Sequence, residues 1–227
     1  MLDVNRVEKK YLVDRMLMKD IIGRLEHVLE TDEHNGADGY IVRSLYFDSF
    51  SNRDYQAKVS GIDDRKKIRL RIYSHRDAVA KLELKEKHNG MQRKRSIILS
   101  REEAIALING DYTCLIARDD SLSKVMYAYM VKELYRPVCI IEYDRYAMIK
   151  DTNSIRVTFD QNLRASTDVK SFFSESINYR PLDLTDRITM EVKYDGFLFS
   201  DIKNALSLKT SIESSNSKYV RARERLR

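Results

Sequence analysis

The sequence predicts an α+β fold: an antiparallel β-barrel with a charged interior and helices packed on its outside. Three observations lead there. Charged and aliphatic residues alternate along several segments, an Asn89-Gly90 pair joins two of them, and apolar residues at helical spacing occupy stretches between. Side chains at i, i+2 and i+4 of an extended chain share one face, so this alternation means strands with two unlike faces.

In chain order, Arg6 to Val13 reads as a first strand with Arg6, Glu8 and Lys10 on one face. Asp14 is placed to cap a helix whose apolar stripe is Met16, Ile21, Leu25, Val28 and Leu29. Asp32 to Gly39 is a polar loop, Tyr40 to Asp48 a second strand, and Ser51 to Ala57 a short helix or turn. Then come the central strands. Lys67, Arg69 and Arg71 line one face, with Ile68, Leu70 and Ile72 on the other. The next run sets Lys81, Glu83, Lys85 and Lys87 opposite Leu82 and Leu84. Asn-Gly between alternating runs is a strong hairpin signal, so Met91 to Ser100 folds back beside it.

Ser100-Arg-Glu-Glu103 is a capping box opening a helix through Ile108, closed by Asn109-Gly110. Leu122 to Tyr135 reads as another helix, stopped by Pro137. Val138 to Ala147 is apolar and then polar, with Glu142 and Asp144 on one face and Arg145 on the other. Ile155 to Asp160 and Thr189 to Tyr194 repeat the charged and aliphatic scheme. Thr167 to Tyr179 carries no regular pattern. A short helix near Ser200 to Leu208 precedes a basic tail, Arg221 to Arg227, which reads as a frayed, solvated helix end.

An ordinary sheet with one solvated face accounts for any single strand of this kind. Recurrence argues for more. Arg and Glu at the centres of strand after strand fit the interior of a small barrel, which can enclose a ligand. A mostly cationic interior with a few carboxylates suits a polyanion and its metal.

With 227 residues, 7 Gly, 2 Pro and no linker-like stretch, one domain spanning 1–227 is expected. Net charge is +6, which is compatible with an anionic ligand but identifies none. Cys114 and Cys139 are too few for a disulfide framework and form no metal-ligand cluster with the 4 His. No run approaches 18 apolar residues and the N-terminus has no apolar leader core, so a soluble cytoplasmic protein is expected. The strands lack an aromatic ladder interleaved with the basic residues, which argues against nucleic acid despite 14 Tyr.

Taken together, the motifs resemble a known family. They are Arg-x-x-x-Lys-Tyr at Arg6, Ser-Leu-Tyr-Phe-Asp at Ser44, Arg-x-Arg at Arg69 and Glu-x-Lys at Glu83. Glu-Tyr-Asp-Arg at Glu142, Ile-Arg-Val-Thr-Phe-Asp at Ile155, Glu-Val-Lys-Tyr at Glu191 and Ser-Lys-Tyr at Ser217 follow. In this order they resemble the VTC (vacuolar transporter chaperone) domain, the polyphosphate polymerase branch of the triphosphate tunnel metalloenzymes, CYTH-like proteins. The resemblance implies a barrel open as a charged tunnel. It implies a phosphate-binding set of Lys10, Arg69, Arg71, Lys85, Lys94, Arg145, Arg156, Lys193 and Lys218. It makes Glu191 the ligand of a catalytic Mn²⁺ or Mg²⁺, with Glu8, Glu83 and Glu142 as supporting carboxylates. The catalytic set so implied is Lys10, Arg69, Arg71, Lys85, Arg145, Arg156 and Glu191. A one-residue slip would exchange Lys94 for Arg93 or Arg95 on its face.

The implied reaction moves the γ-phosphate of ATP or another NTP onto a phosphate or polyphosphate chain. One departure bears on it. Hydrolytic members begin Glu-x-Glu-x-Lys, whereas this chain has Arg6-x-Glu8-x-Lys10, losing a metal-binding oxygen and gaining a phosphate-binding fork. The sequence lacks the SPX domain and membrane helices of the fungal polymerases, so any membrane attachment is expected from a separate partner. A tunnel triphosphatase and a non-catalytic polyphosphate-binding module are the alternatives.

Overall fold

The computed structural model describes residues 6–183, 187–206, 212–213 and 217–226. Its first elements are β1 (Arg6–Val13), α1 (Arg15–Leu25), β2 (Glu30–Thr31), β3 (Tyr40–Asp48) and α2 (Arg53–Val59). Next come β4 (Arg65–Ile72), β5 (Val79–His88), β6 (Met91–Ser100), α3 (Arg101–Ile108), α4 (Thr113–Ala117) and α5 (Ser121–Lys132). The rest are β7 (Arg136–Lys150), β8 (Ile155–Ser166), β9 (Arg180–Pro181), β10 (Ile188–Asp195), α6 (Ser200–Leu206), β11 (Ile212–Glu213) and α7 (Lys218–Arg225). The strand pairings are antiparallel and the fold is α+β, as expected. Among the described residues no helix is long and apolar enough to cross a membrane.

The chain divides into two compact units of three segments each. The first comprises Met1–Ile41, Tyr143–Leu163 and Asp183–Asn216; the second comprises Val42–Glu142, Arg164–Leu182 and Ser217–Arg227. In the first, the strand order is β11-β1-β10-β8-β7. Tyr11, Val157, Phe159, Met190 and Val192 point to one side, where they pack with Met18, Ile21 and Leu25 of α1 and Ile202 of α6. The predicted α1 stripe is therefore shifted: Met16 is 84% exposed, because the face at 18, 21 and 25 takes the core. The Asp14 cap forms as expected, accepting from Leu17 N at 2.8 Å.

In the second unit the order is β7-β3-β4-β5-β6. Leu45, Phe47, Ile68, Leu70, Leu82 and Leu84 face Leu107 of α3 and Met126 and Met130 of α5. The Asn89-Gly90 hairpin joins β5 and β6, pairing His88 with Met91. The Ser100–Glu103 capping box is complete. Helix α5 begins one residue earlier than predicted, capped by Asp120 (2.8 Å to Ser123 N), and it stops at Lys132, before Pro137. Leu134 then turns the chain through a left-handed conformation (φ 49°). The unpatterned 167–179 stretch holds a short 3₁₀ turn (Val169–Phe173) that buries Phe172 and Phe173 in this core.

The basic tail corrects its sequence reading. Helix α7 is docked, burying Tyr219 and Ala222. Asp48, fully buried, is the anchor. Its Oδ1 accepts from Ser49 N (2.8 Å) and Asp54 N (2.9 Å), and its Oδ2 from Tyr55 N (3.1 Å) and Tyr219 Oη (2.5 Å). Arg223 adds an ion pair at 3.5 Å and donates to Asn52 Oδ1 at 2.8 Å. Asp48 thus caps α2, whose own N-cap Asn52 makes no side-chain cap bond, and fastens α7 through Tyr219 and Arg223 on one helix face. The expectations for the Arg6 side chain and for residues 207–208 and 227 lie outside the described residues.

Tyr219→Ala should cost about 3–5 kcal/mol in urea unfolding, as for a buried aromatic, and Arg225→Ala on the exposed face within about 0.5 kcal/mol. Equal, small losses would mean that the helix is not docked.

Candidate phosphate-binding site

The polar face of the second unit follows from strand register. Across β4, β5 and β6 three rows lie opposite one another: Arg71–Lys81–Ile98, Arg69–Glu83–Ser96 and Lys67–Lys85–Lys94. Lys94 thereby takes this face, while Arg95 turns to Glu86 on the other (2.9 Å). Glu83 is the one carboxylate in these rows. Its Oε2 accepts from Arg69 Nε at 2.6 Å, and its Oε1 meets Lys94 Nζ at 2.6 Å and Arg71 Nη1 at 3.8 Å. Burial alone would raise its pKa, but Arg69, Arg71 and Lys94 outweigh burial and hold the carboxyl at about 2. Burial, with Arg69 and Arg71, brings Lys94 below its ordinary value against the pull of Glu83.

Arg69 and Arg71 are held from behind as well. Arg69 Nη1 donates to Tyr46 Oη (2.8 Å) and Arg71 Nε to Ser44 Oγ (3.3 Å). Tyr46 in turn stacks on Tyr219 with centroids 5.0 Å apart. Lys67 Nζ donates to Ser217 Oγ at 3.1 Å, and Lys218, the next residue, opens α7. The lysine row is the unusual feature. Like charges directly opposite on neighbouring strands are destabilising, a cost that an anion along the row would relieve.

The first unit has a different polar face. Its rows across β1, β10 and β8 are Glu8–Lys193–Arg156 and Lys10–Glu191–Thr158, with Thr189 opposite Asp160. Lys10 Nζ lies 3.1 Å from Glu8 Oε1 and 3.4 Å from Glu191 Oε1, and Lys193 Nζ lies 2.9 Å from Glu191 Oε2. Arg145 makes a fork on Asp160, at 2.6 Å (Nε) and 2.8 Å (Nη2). Burial would lower the Arg145 pKa, but Asp160, Tyr143 and Glu191 raise it well above its ordinary value. Arg156 Nη2 reaches Asp32 Oδ2 at 2.7 Å and Tyr40 Oη at 2.9 Å. Here Lys10, Lys193, Arg145 and Arg156 are matched by Glu8, Glu191, Asp160 and Asp32.

The predicted residues therefore divide. Arg69, Arg71, Lys85, Lys94 and Glu83 share one face, and Lys10, Arg156, Lys193, Glu8 and Glu191 share the other, with Arg145 reaching in from β7. Glu142 joins neither. It lies on the core side with Ile140, its Oε2 taking Arg43 Nε and Tyr179 Oη (2.9 Å) and its Oε1 taking Arg164 at 2.7 Å and 3.0 Å. Arg43 also binds the carbonyls of Phe172 (2.9 Å) and Ser174 (2.7 Å), so Glu142 stands at the head of a buried network that holds 172–179. Its partners in this unit give it a structural role. Among the described residues no group of three or more His, Cys, Asp or Glu could hold a metal. Glu8 and Glu191, both on Lys10, still fit Mg²⁺ or Mn²⁺ in the way such ions bind beside phosphates, with one or two carboxylates and the rest of the shell from phosphate and water.

Sequence reasoning missed Tyr46, Asp160 and Thr158, although the last two were legible as i+4 and i+2 from Arg156. Asp32 and Tyr40 come from a loop and strand end far from Arg156, and carry no local signal.

The chain belongs to the VTC domain family, whose family model matches residues 5–227. No curated protein sequence matches it significantly. Among solved structures it is similar to bh2851 of Bacillus halodurans, described provisionally as an adenylate cyclase (16% identity, TM-score 0.54, covering 93% of this chain and 94% of that one). It is also similar to HpAC1 of Hippeastrum, a provisional adenylyl cyclase described as having a dominant triphosphatase activity (12% identity, TM-score 0.53, covering 98% and 97%). At these identities the likeness establishes a shared fold.

Glu83→Gln should destabilise the protein at pH 7 by about 3–5 kcal/mol, because Arg69, Arg71 and Lys94 lose their counter-charge. The folded pKa of about 2 lies below the ordinary 4.5, so the stability that ionised Glu83 supplies is present above that range and lost as pH falls toward 2. Urea unfolding should find the gap between wild type and variant shrinking between pH 5 and pH 2.5, by up to about 3 kcal/mol. A constant gap would contradict this account of Glu83.

Proposed function

We propose that this chain is a metal-dependent phosphotransferase of the polyphosphate polymerase type, moving an NTP γ-phosphate onto a phosphate or polyphosphate end. The observation that carries the reading is the row Lys67–Lys85–Lys94, flanked by Arg69 and Arg71, with Glu83 pairing Arg69, Arg71 and Lys94. So much cationic charge fixed on rigid strands is the recognition chemistry of linked phosphates, and VTC family membership favours polyphosphate among them.

Phosphoryl transfer asks a protein mainly for positioning and charge. In the proposed reaction an acceptor oxygen forms a bond to the γ-phosphorus while the bond to the bridging oxygen breaks, and NDP leaves with the electron pair. Arg69, Arg71, Lys85 and Lys94, with Lys218, hold successive phosphates. Lys10, Lys193 and Arg156 oppose charge that develops on transfer. Arg145 acts through its positive charge while remaining on Asp160. Glu191, supported by Glu8, would hold Mn²⁺ or Mg²⁺, which would supply positive charge to offset that of the phosphates.

Incubation with ATP and Mn²⁺ should yield ADP and chains that stain as polyphosphate on a gel. Glu191→Ala should lower turnover by about 10²-fold or more and leave metal-free tripolyphosphate binding intact. Free phosphate without chains would replace this reading with a triphosphatase, the activity described for the Hippeastrum protein. Binding without turnover would leave a polyphosphate-binding module.

A further inference from the structure

Thr158 lies at the centre of β8 on the charged face of the first unit, directly opposite Glu191. It is 1% exposed, and its Oγ1 has no hydrogen-bond partner. Two other buried polar atoms among the described residues share that condition, Arg95 Nε and Glu133 Oε2. Each belongs to a charged group paired elsewhere: Arg95 through Nη2 to Glu86, and Glu133 through Oε1 to Lys66. Thr158 has one polar side-chain atom, and it is unanswered.

A buried hydroxyl without a partner lowers stability. Valine has nearly the same shape and would carry no such cost, so packing does not explain the hydroxyl. Its surroundings do. Glu191 lies across from it with Lys10 beyond, and Arg156 and Asp160 flank it along β8. Those charges already answer one another: Lys10 and Lys193 with Glu191, Arg156 with Asp32, and Arg145 with Asp160. An anion brought beside the Glu191 carboxylate needs a donor there, and a neutral O–H supplies one without disturbing the balance.

We infer that Thr158 binds ligand, donating its hydroxyl to a phosphoryl oxygen held next to Glu191. The inference rests on the phosphate-binding reading above. It adds a neutral donor to a set otherwise made of Arg, Lys and Glu.

Thr158→Val tests it in the full chain, with Thr158→Ser as the conservative partner. Thermal unfolding of the empty protein should find the Val variant at least as stable as wild type. Calorimetric titration with tripolyphosphate in the absence of metal should find its binding weaker by about tenfold or more, as for a lost hydrogen bond to a charged acceptor. The Ser variant should recover most of that loss. Undiminished binding by the Val variant would overturn the inference and leave the phosphate reading standing. A less stable Val variant would make the hydroxyl structural and overturn it too. A loss confined to titrations containing Mn²⁺ would move the hydroxyl from phosphate to the metal ion. Wild type that fails to bind tripolyphosphate would remove both readings together.

Discussion

Strand register governs this protein. Because side chains alternate strictly, a slip of one residue on β4 or β5 would turn Arg69, Arg71 and Glu83 into the core and Leu70 and Leu82 out to solvent. Burial of the aliphatic face therefore fixes the charged face without any contact among the charges themselves. The hairpin at Asn89-Gly90 extends this control to β6, where it selects Lys94 over its arginine neighbours. The same hydrophobic constraint in the first unit brings Glu191 between Lys10 and Thr158.

The two polar faces obey different electrostatic rules. In the first unit each cation has a nearby carboxylate, so the face is held together by its own charge. In the second, Glu83 serves Arg69, Arg71 and Lys94, and the row Lys67–Lys85–Lys94 sets like charges directly opposite one another. A face of the second kind gains from an anion, and its affinity should fall with added salt as exposed charges are screened. The group that Arg69, Arg71 and Lys94 form on the buried Glu83 is screened less. Its value lies in aiming two guanidinium groups, since removing one partner of such a set leaves buried charge unanswered.

Much of this was legible in the sequence, for a local reason. Alternation, the Asn-Gly turn, the Ser100 capping box and the Asp14 cap each concern a handful of neighbouring residues, and the charged faces follow from period two. Position along a strand does not disclose distant partners. Glu142 and Glu191 both stand on strands, yet one meets Arg43, Arg164 and Tyr179 on the core side and the other meets lysines on the polar side. The docked helix α7 was misread for the same reason. Its basic composition suggests solvent, and nothing near Tyr219 or Arg223 in sequence points to Asp48. Thr158 was hidden differently, since a threonine in a strand is ordinary until its hydroxyl proves to have no partner.

The link between Asp48 and Tyr219 joins residues 171 positions apart. Pairings of such separation carry a large loop-closure cost and form late. On a ribosome, β3 to β6 and the helices over them would be made long before 217–226 emerged, with Asp48 capping α2 but lacking two of its partners. The second unit would spend that interval with one end of its charged face uncovered. Completion of this unit is thus timed by translation, and the residues that close it are the same ones that put Ser217 and Lys218 beside Lys67.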